Sequence, residues 1–369
     1  MYNKNNINFN KNPNLIYEKA IIKKRNFRGC KFFGNLGYND LFDIYTPFNE
    51  ENKNKIYLLA KSDSYGANID IIDIEDNDII NQLCNGHQNN KLITMIRHFG
   101  NPMTKIDYLI SSSNKEIIVW NLNSFNIVHN IKSNNEQLSY SSVLLFNPYD
   151  KLFSNLIIIS YSNKNSVEKD FIKVYNFDNG EFIKVLPDLS SITCFYLFLW
   201  DNSKNENDHD NNIYVIACCN NKIIIYNIFS NDNEKLVHSV LKDNDNKIID
   251  YYSACLLTKK SEKNEDYLYS NSNIDKIFVW NLNMMNLAFV IDVKFEINNF
   301  ILYNEKYLLV GDISGSLLIV DINQNKIISK MKSKETFGIK CIKKFINHNN
   351  KEFLLTYDIN DSIELWTVK

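Results

Sequence analysis

The chain has 369 residues, a formal net charge of -2, and 44% hydrophobic and 13% aromatic content. That balance supplies ample material for a core and argues against a nucleic-acid ligand, which calls for a broad basic surface. The longest apolar runs, such as Ile213 to Cys219, are of strand length and far short of a membrane span.

Two further features of composition matter. There are 60 asparagines but only ten glycines and five prolines, so Asn is expected to take turn positions that Gly fills elsewhere. The seven cysteines (Cys30, Cys84, Cys194, Cys218, Cys219, Cys255 and Cys341) are scattered among apolar neighbours without a zinc-site spacing. They read as reduced thiols of a cytoplasmic or nuclear protein.

In chain order, Met1 to Asn14 is rich in Asn and Lys and lacks the apolar stretch of a signal peptide. It reads as a disordered N-terminus ahead of one folded unit, 15–369. Tyr17 to Arg25, within the segment 15–28, reads as a single surplus strand. It opens the one basic cluster of the chain: Lys19, Lys23, Lys24, Arg25, Arg28 and Lys31. Asp40 to Tyr45, Ile56 to Ala60, Asn68 to Ile72 and Ile79 to Cys84 then form a first group of four short strands. Gly86-His87 precedes a second group: Leu92 to His98, Tyr108 to Ser112, Ile117 to Trp120 and Asn126 to Ile131. Such groups, joined by polar turns, describe an antiparallel meander.

One phrase marks the third strand and the turn after it. It recurs as Ile72-Asp73, Trp120-Asn121, Tyr175-Asn176, Tyr226-Asn227, Trp280-Asn281, Val320-Asp321 and Trp366-Thr367. The gaps are 48, 55, 51, 54, 40 and 46 residues, and a period in this range signals a repeat architecture. The Asn or Asp has a physical role, since its side chain can accept from a backbone N–H two residues on and so start the turn. The third strand is apolar on both faces, so units of this kind bury themselves only by stacking on one another.

Gly86, His87, Ser112, Asn114, Trp120 and Asn121 together resemble the Gly-His, Ser, Asp and Trp-Asp positions of the WD-repeat β-propeller family, in divergent form. The resemblance implies an all-β fold: a seven-bladed β-propeller of four-stranded antiparallel blades, closed by an N-terminal strand. Tyr175, Tyr226, Trp280, Asp321 and Trp366 would be repeat positions in that scheme, with Asn176, Asn227 and Asn281 starting turns. The last copy ends at Lys369, one strand short, and the surplus strand of 15–28 would complete it.

Longer links fall at Asn163 to Asp170, Asp201 to Asn212 and Lys259 to Asp266, and all read as solvated insertions. His209 lies among Asp201, Glu206, Asp208 and Asp210 without the alternating ligands of a calcium loop. No His, Cys or Ser pattern fits catalysis, and Gly311 to Gly315 is a turn and not a phosphate loop. Leu197 to Trp200 reads as an inner core strand. The chain is therefore expected to be a non-enzymatic scaffold or adaptor in a multiprotein complex, without cofactor or metal. The alternative is a propeller that binds phosphoinositides or anionic membranes through Lys23, Lys24, Arg25 and Arg28. A hydrolase site in the central channel is a remote third reading.

Overall fold

In this computed structural model the described residues run from 15 to 368. They leave out 23–41, 62–67, 88–92, 133–137, 147–155, 164–169, 190–193, 203–212, 228–238, 242–252, 258–264, 333–337, 347–351 and several shorter stretches. They form 28 strands in seven sheets of four antiparallel strands. An isolated strand, β1 (Leu15–Ile22), comes first. The first blade is β2 (Phe42–Tyr45), β3 (Tyr57–Lys61), β4 (Ile69–Asp73) and β5 (Ile79–Leu83). The second is β6 (Met95–Asn101), β7 (Ile106–Ser112), β8 (Glu116–Asn121) and β9 (Asn126–Lys132). The third is β10 (Leu138–Phe146), β11 (Leu156–Asn163), β12 (Asp170–Asn176) and β13 (Phe182–Leu189). The fourth is β14 (Cys194–Asp201), β15 (Ile213–Cys219), β16 (Ile223–Asn227) and β17 (Ser239–Leu241). The fifth is β18 (Ser253–Leu257), β19 (Tyr267–Asn271), β20 (Lys276–Asn281) and β21 (Asn286–Asp292). The sixth is β22 (Ile297–Leu302), β23 (Tyr307–Asp312), β24 (Ser316–Asp321) and β25 (Lys326–Lys332). The last has β26 (Ile339–Ile346), β27 (Glu352–Asp358) and β28 (Ile363–Val368), and β1 supplies its fourth strand.

The architecture is a seven-bladed β-propeller. Its surplus strand lies at Leu15–Ile22, slightly ahead of the expected Tyr17 to Arg25. It pairs antiparallel with β28, from Leu15 opposite Val368 to Ile22 opposite Ile363. The first strand of the second blade starts at Met95 and runs to Asn101, later than the expected Leu92 to His98. Residues 1–14 and the cations Lys23, Lys24, Arg25 and Arg28 lie outside the described residues, as do Asn114 and His209.

Burial follows the strand order. In β8 and β24 the residues ahead of the closing Asn or Asp are buried on both faces, whereas outer β9 is mostly exposed. That contrast explains the apolar runs of β8, β16, β20 and β24, third strands with a neighbouring blade on either side. Seven apolar clusters fill the seven junctions. Leu59, Ile71, Leu109 and Trp120 join the first and second blades, and Val119, Ile157 and Ile159 the second and third. Ile158, Leu186, Leu197 and Ala217 join the third and fourth. Trp200, Ile216 and Trp280 join the next pair, then Val279, Phe300 and Val310, then Leu309, Ile342 and Trp366. The seventh cluster sets Leu58 and Ile72 of the first blade against Leu355 and Leu365 of the last. Each buried Leu or Ile contributes about 1.5–3 kcal/mol relative to exposure. Truncating Leu58 to Ala would cost roughly 2–5 kcal/mol through lost transfer energy and the cavity left behind.

The turn after the third strand repeats in detail. Asn121 Oδ1 accepts from the backbone N–H of Asn123 (2.8 Å) and Ser124 (3.1 Å). Asn176, Asp73 and Asp321 accept in the same way from Asp178, Glu75 and Asn323, and Asn281 accepts from Met284. Four residues beyond Asn121, Asn176, Asn281 and Asp321 the backbone turns left-handed, at Phe125 (φ 59), Gly180 (φ 72), Met285 (φ 53) and Asn325 (φ 50). Asn therefore takes that position in only one of these four blades, and Phe and Met hold it in two others.

Candidate functional site

The described residues offer two kinds of surface to a partner: the face where the links between first and second strands meet the third-to-fourth turns, and the outer edges of the blades. Beneath them, buried polar groups fix how the blades sit.

In the second blade the indole Nε1–H of Trp120 donates to Ser111 Oγ (2.9 Å), and His87 Nε2 lies 2.8 Å from the same oxygen. Glu116 Oε1 stands 3.5 Å from His87 Nδ1, and all four residues are buried. The carboxylate favours the tautomer protonated at Nδ1, so Nε2 accepts from the Ser111 hydroxyl while its oxygen accepts from the indole. The hydroxyl that serves Trp120 and His87 thus belongs to Ser111. Ser112 lies on the opposite face of the strand, where its Oγ meets Thr94 Oγ1 at 3.1 Å. Gly86 is dictated by the same tryptophan, because a Cβ there would sit 2.2 Å from Trp120 Cζ2.

Two other tryptophans repeat the geometry. Trp280 Nε1 donates to Ser270 Oγ and Trp366 Nε1 to Thr356 Oγ1, each at 2.9 Å. In all three cases the acceptor lies two residues beyond the cross-strand partner of the Trp, which is Leu109, Leu268 or Leu354. Where the third position is Tyr175 or Tyr226, the corresponding residues are Ile159 and Ala217. Hydroxyl and indole travel together, because a buried indole N–H needs an acceptor. Pairing each Trp with its diagonal neighbour would have found these acceptors in the sequence.

The link face has its own cross-blade bonds. Asp107, at the start of β7, accepts from the backbone N–H of Phe48 (3.0 Å) and lies 2.9 Å from His98 Nε2. The His98 ring stacks on Tyr45 with centroids 5.1 Å apart. Burial, reinforced by the charge of Asp107, pushes the Tyr45 hydroxyl well above the usual phenol range. In the fifth blade Asp266 accepts from Trp200 Nε1 (2.8 Å). Trp200 is buried, so it is a core residue and not an exposed anchor. In the last blade Glu352 accepts from the Tyr303 hydroxyl and pairs with Lys344 at 3.0 Å. Burial and then Glu352 raise Tyr303 far above its ordinary value. The N–H groups of Asp107 and Asp266 donate to Asn123 and Asn283 in the adjoining turns. These carboxylates sit at strand starts that also hold Ile56, Ile213 and Lys306, so no sequence period revealed them. They hold one blade against the next.

The inner strands are stitched as well. Asp43 accepts from the backbone N–H of His98 (2.7 Å) and pairs with Lys343 (3.4 Å), bridging the last, first and second blades. Asn299 Oδ1 accepts from Ile342 N–H (3.1 Å). The outer edges differ from one another. The outer strands of the first three blades expose Ile79, Ile80, Ile127, Val128, Phe182, Ile183 and Val185, whereas β25 carries Lys326, Lys330 and Lys332.

The sequence matches no protein-family model, and no curated protein matches it. The fold does match solved structures. The N-terminal domain BBS1N, crystallised in complex with ARL6DN and soaked with lead, superposes with a TM-score of 0.63 at 9% identity. That match covers 90% of this chain and 93% of the other. The mercury-soaked crystal of the same complex gives a TM-score of 0.62 at 9% identity, covering 91% and 93%. At this identity the likeness shows the shared propeller fold.

Proposed function

We propose that this chain is a non-enzymatic protein-interaction subunit of a larger assembly, a divergent WD-repeat-like propeller spanning 15–369 whose ring β1 closes. One observation carries the reading. Apolar clusters pack each blade on the next, buried Asp107 and Asp266 accept from the preceding blade, and the outer strands of the first three blades expose apolar side chains. Folds of this kind present wide faces on which loops vary without disturbing the core. The matched propeller BBS1N was crystallised bound to another protein, which supports the same use here. The Trp120–Ser111–His87–Glu116 set supports the WD-repeat kinship, with Glu116 beside the histidine. A cytoplasmic or nuclear setting fits the thiols at Cys194, Cys218, Cys219 and Cys341, which are buried and in no disulfide among the described residues.

The test is a native size measurement on tagged full-length chain from its own cells, followed by chemical cross-linking and mass spectrometry. Co-elution with a fixed set of proteins is expected. Elution as a lone monomer at native concentration would sink the proposal.

A further inference from the structure

Strand register sets three cysteines of this propeller across from tyrosines. Cys218 is opposite Tyr196, Cys255 opposite Tyr269 and Cys341 opposite Tyr357. One pairing differs. Cys194, the first residue of β14, lies directly opposite Cys219, the last residue of β15. Directly opposed residues of an antiparallel pair project from the same face, with Cβ atoms about 4.5–5.5 Å apart. Both thiols belong to the apolar cluster between the third and fourth blades, and both are fully buried. Opposed Cα atoms, about 4.5–5.5 Å apart, fall inside the span of about 4.4–6.8 Å that a disulfide bridges. Cys218 points the other way, into the cluster between the fourth and fifth blades.

The same register position has another task in other blades. Counted from the pairing of second and third strands, Cys219 corresponds to Asp312 and Asp358. Those carboxylates lie opposite Ile297 and Ile339. Asp312 Oδ1 accepts from the backbone N–H of Ser316 (2.6 Å), which clamps the turn into β24. In the fourth blade a thiol stands in the place of the clamping carboxylate, and a second thiol in the place of the apolar residue across from it. At rest each thiol keeps its proton: Cys194 Sγ donates to the Tyr196 carbonyl (3.4 Å) and Cys219 Sγ to that of Ala217 (3.7 Å).

We propose that Cys194 and Cys219 form a redox latch, a dithiol that a small-molecule disulfide converts into a cross-strand bond pinning β14 to β15. One thiolate of the pair attacks the small disulfide, forms a mixed disulfide and releases a small thiol. The other thiolate then attacks the protein sulfur of that mixed disulfide, closes the Cys194–Cys219 bond and expels the second small thiol. The pair gives up two electrons and two protons, and the small disulfide is reduced to two thiols. The pair sits at strand ends, which open at lower cost than strand centres and so admit the oxidant. In a reducing compartment such a bond is transient and reports oxidation. It closes a loop of about 25 residues, which restricts the unfolded chain and so favours the folded one.

The experiment uses the full chain, reduced and then incubated with oxidised glutathione under native conditions. Remaining thiols are alkylated in denaturant, and the digest is mapped by mass spectrometry. A cross-link joining residues 194 and 219 is expected, lighter by two hydrogens than its two peptides and reversed by dithiothreitol. Circular dichroism should be unchanged, and the melting temperature should rise by about 3 °C. Cys218→Ala should keep the cross-link, whereas Cys194→Ser and Cys219→Ser should each lose it together with the rise. Cys194→Ala supplies the same comparison where a serine in the core prevents folding. The proposal is overturned if Cys194 and Cys219 are both still alkylated after the folded chain is oxidised. A bond that appears only in urea, a bond through Cys218, or an oxidised chain that melts no higher than the reduced one would overturn it equally.

Discussion

Replacing Ser111 with Ala should destabilise this protein several times more than the same change at Ser112, one residue along the chain. The Ser111 hydroxyl accepts from Trp120 Nε1 at 2.9 Å and meets His87 Nε2 at 2.8 Å. Its residue is fully buried. The hole left by one oxygen is too small for a water, so neither ring nitrogen regains a partner. A buried polar group left unsatisfied costs about 1–3 kcal/mol. With two such groups the loss is about 2–6 kcal/mol, less any relaxation of the His87 ring. Ser112 gives up one bond to Thr94, at 3.1 Å, and about 1 kcal/mol. Urea denaturation of the full chain, followed by tryptophan fluorescence and circular dichroism, measures both. Trp120→Phe alone and with Ser111→Ala closes a double-mutant cycle, with a coupling of about 1 kcal/mol or more expected. If Ser112→Ala costs as much as Ser111→Ala, or the cycle shows no coupling, the assignment of the buried hydroxyl is refuted.

Gly86→Ala should lower the melting temperature, because its Cβ would meet Trp120 Cζ2 at 2.2 Å. Overpacking of this kind costs about 1–3 kcal/mol, and a wild-type melting curve would contradict the packing described. Deleting residues 1–22 should cost far more than deleting 1–14, since only the first removes β1 and bares β28 along the pairing from Leu15 to Ile22. Equal melting temperatures for the two truncations would refute a closing role for β1. The Tyr267 hydroxyl is pushed up to about 12 by burial and by its bond to Glu265. Its folded-state value lies above the ordinary 10, so its contribution is complete below pH 10 and lost as pH rises towards 12. Stability measured between pH 9 and 12 should fall less steeply in Tyr267→Phe, and parallel curves would exclude the effect.

The parts of this fold that were legible in the sequence are those carried by local chemistry. Trp120-Asn121 and its six relatives set the period, and Asn121, Asn176, Asn281 and Asp321 start turns as their side chains allow. The surplus strand was visible because the last copy ends one strand short. Ser111 was not separable from Ser112 by composition, since both carry hydroxyls. Strand alternation alone decides which one faces the indole, and a slip of one residue reverses the choice. Asp107, Asp266 and Glu352 escaped for a different reason. Their partners, Phe48, Trp200 and Tyr303, lie in the preceding blade, and contacts between blades leave no period in the chain. Phe125 and Met285 hold left-handed turn positions that Gly180 and Asn325 fill in other blades, so residue type alone did not mark them. The exposure of the β9 edge was equally hidden, because Ile127 and Val128 read as ordinary strand residues until the sheet order makes β9 outermost.

The pairing of β1 with β28 also fixes when this protein can finish folding during synthesis. Ile22 and its partner Ile363 are about 340 residues apart, which at typical elongation rates is roughly 17–70 s. For that interval β1 has emerged without the strand it will pair with, and the first blade and the newest one each have a neighbour on one side only. The junction of first and last blades, with Leu58 against Leu355, must also wait. A nascent chain of this design therefore presents open apolar faces on its first and newest blades for tens of seconds. Silent codon changes within 339–368 that speed elongation should act on yield without altering a single side chain.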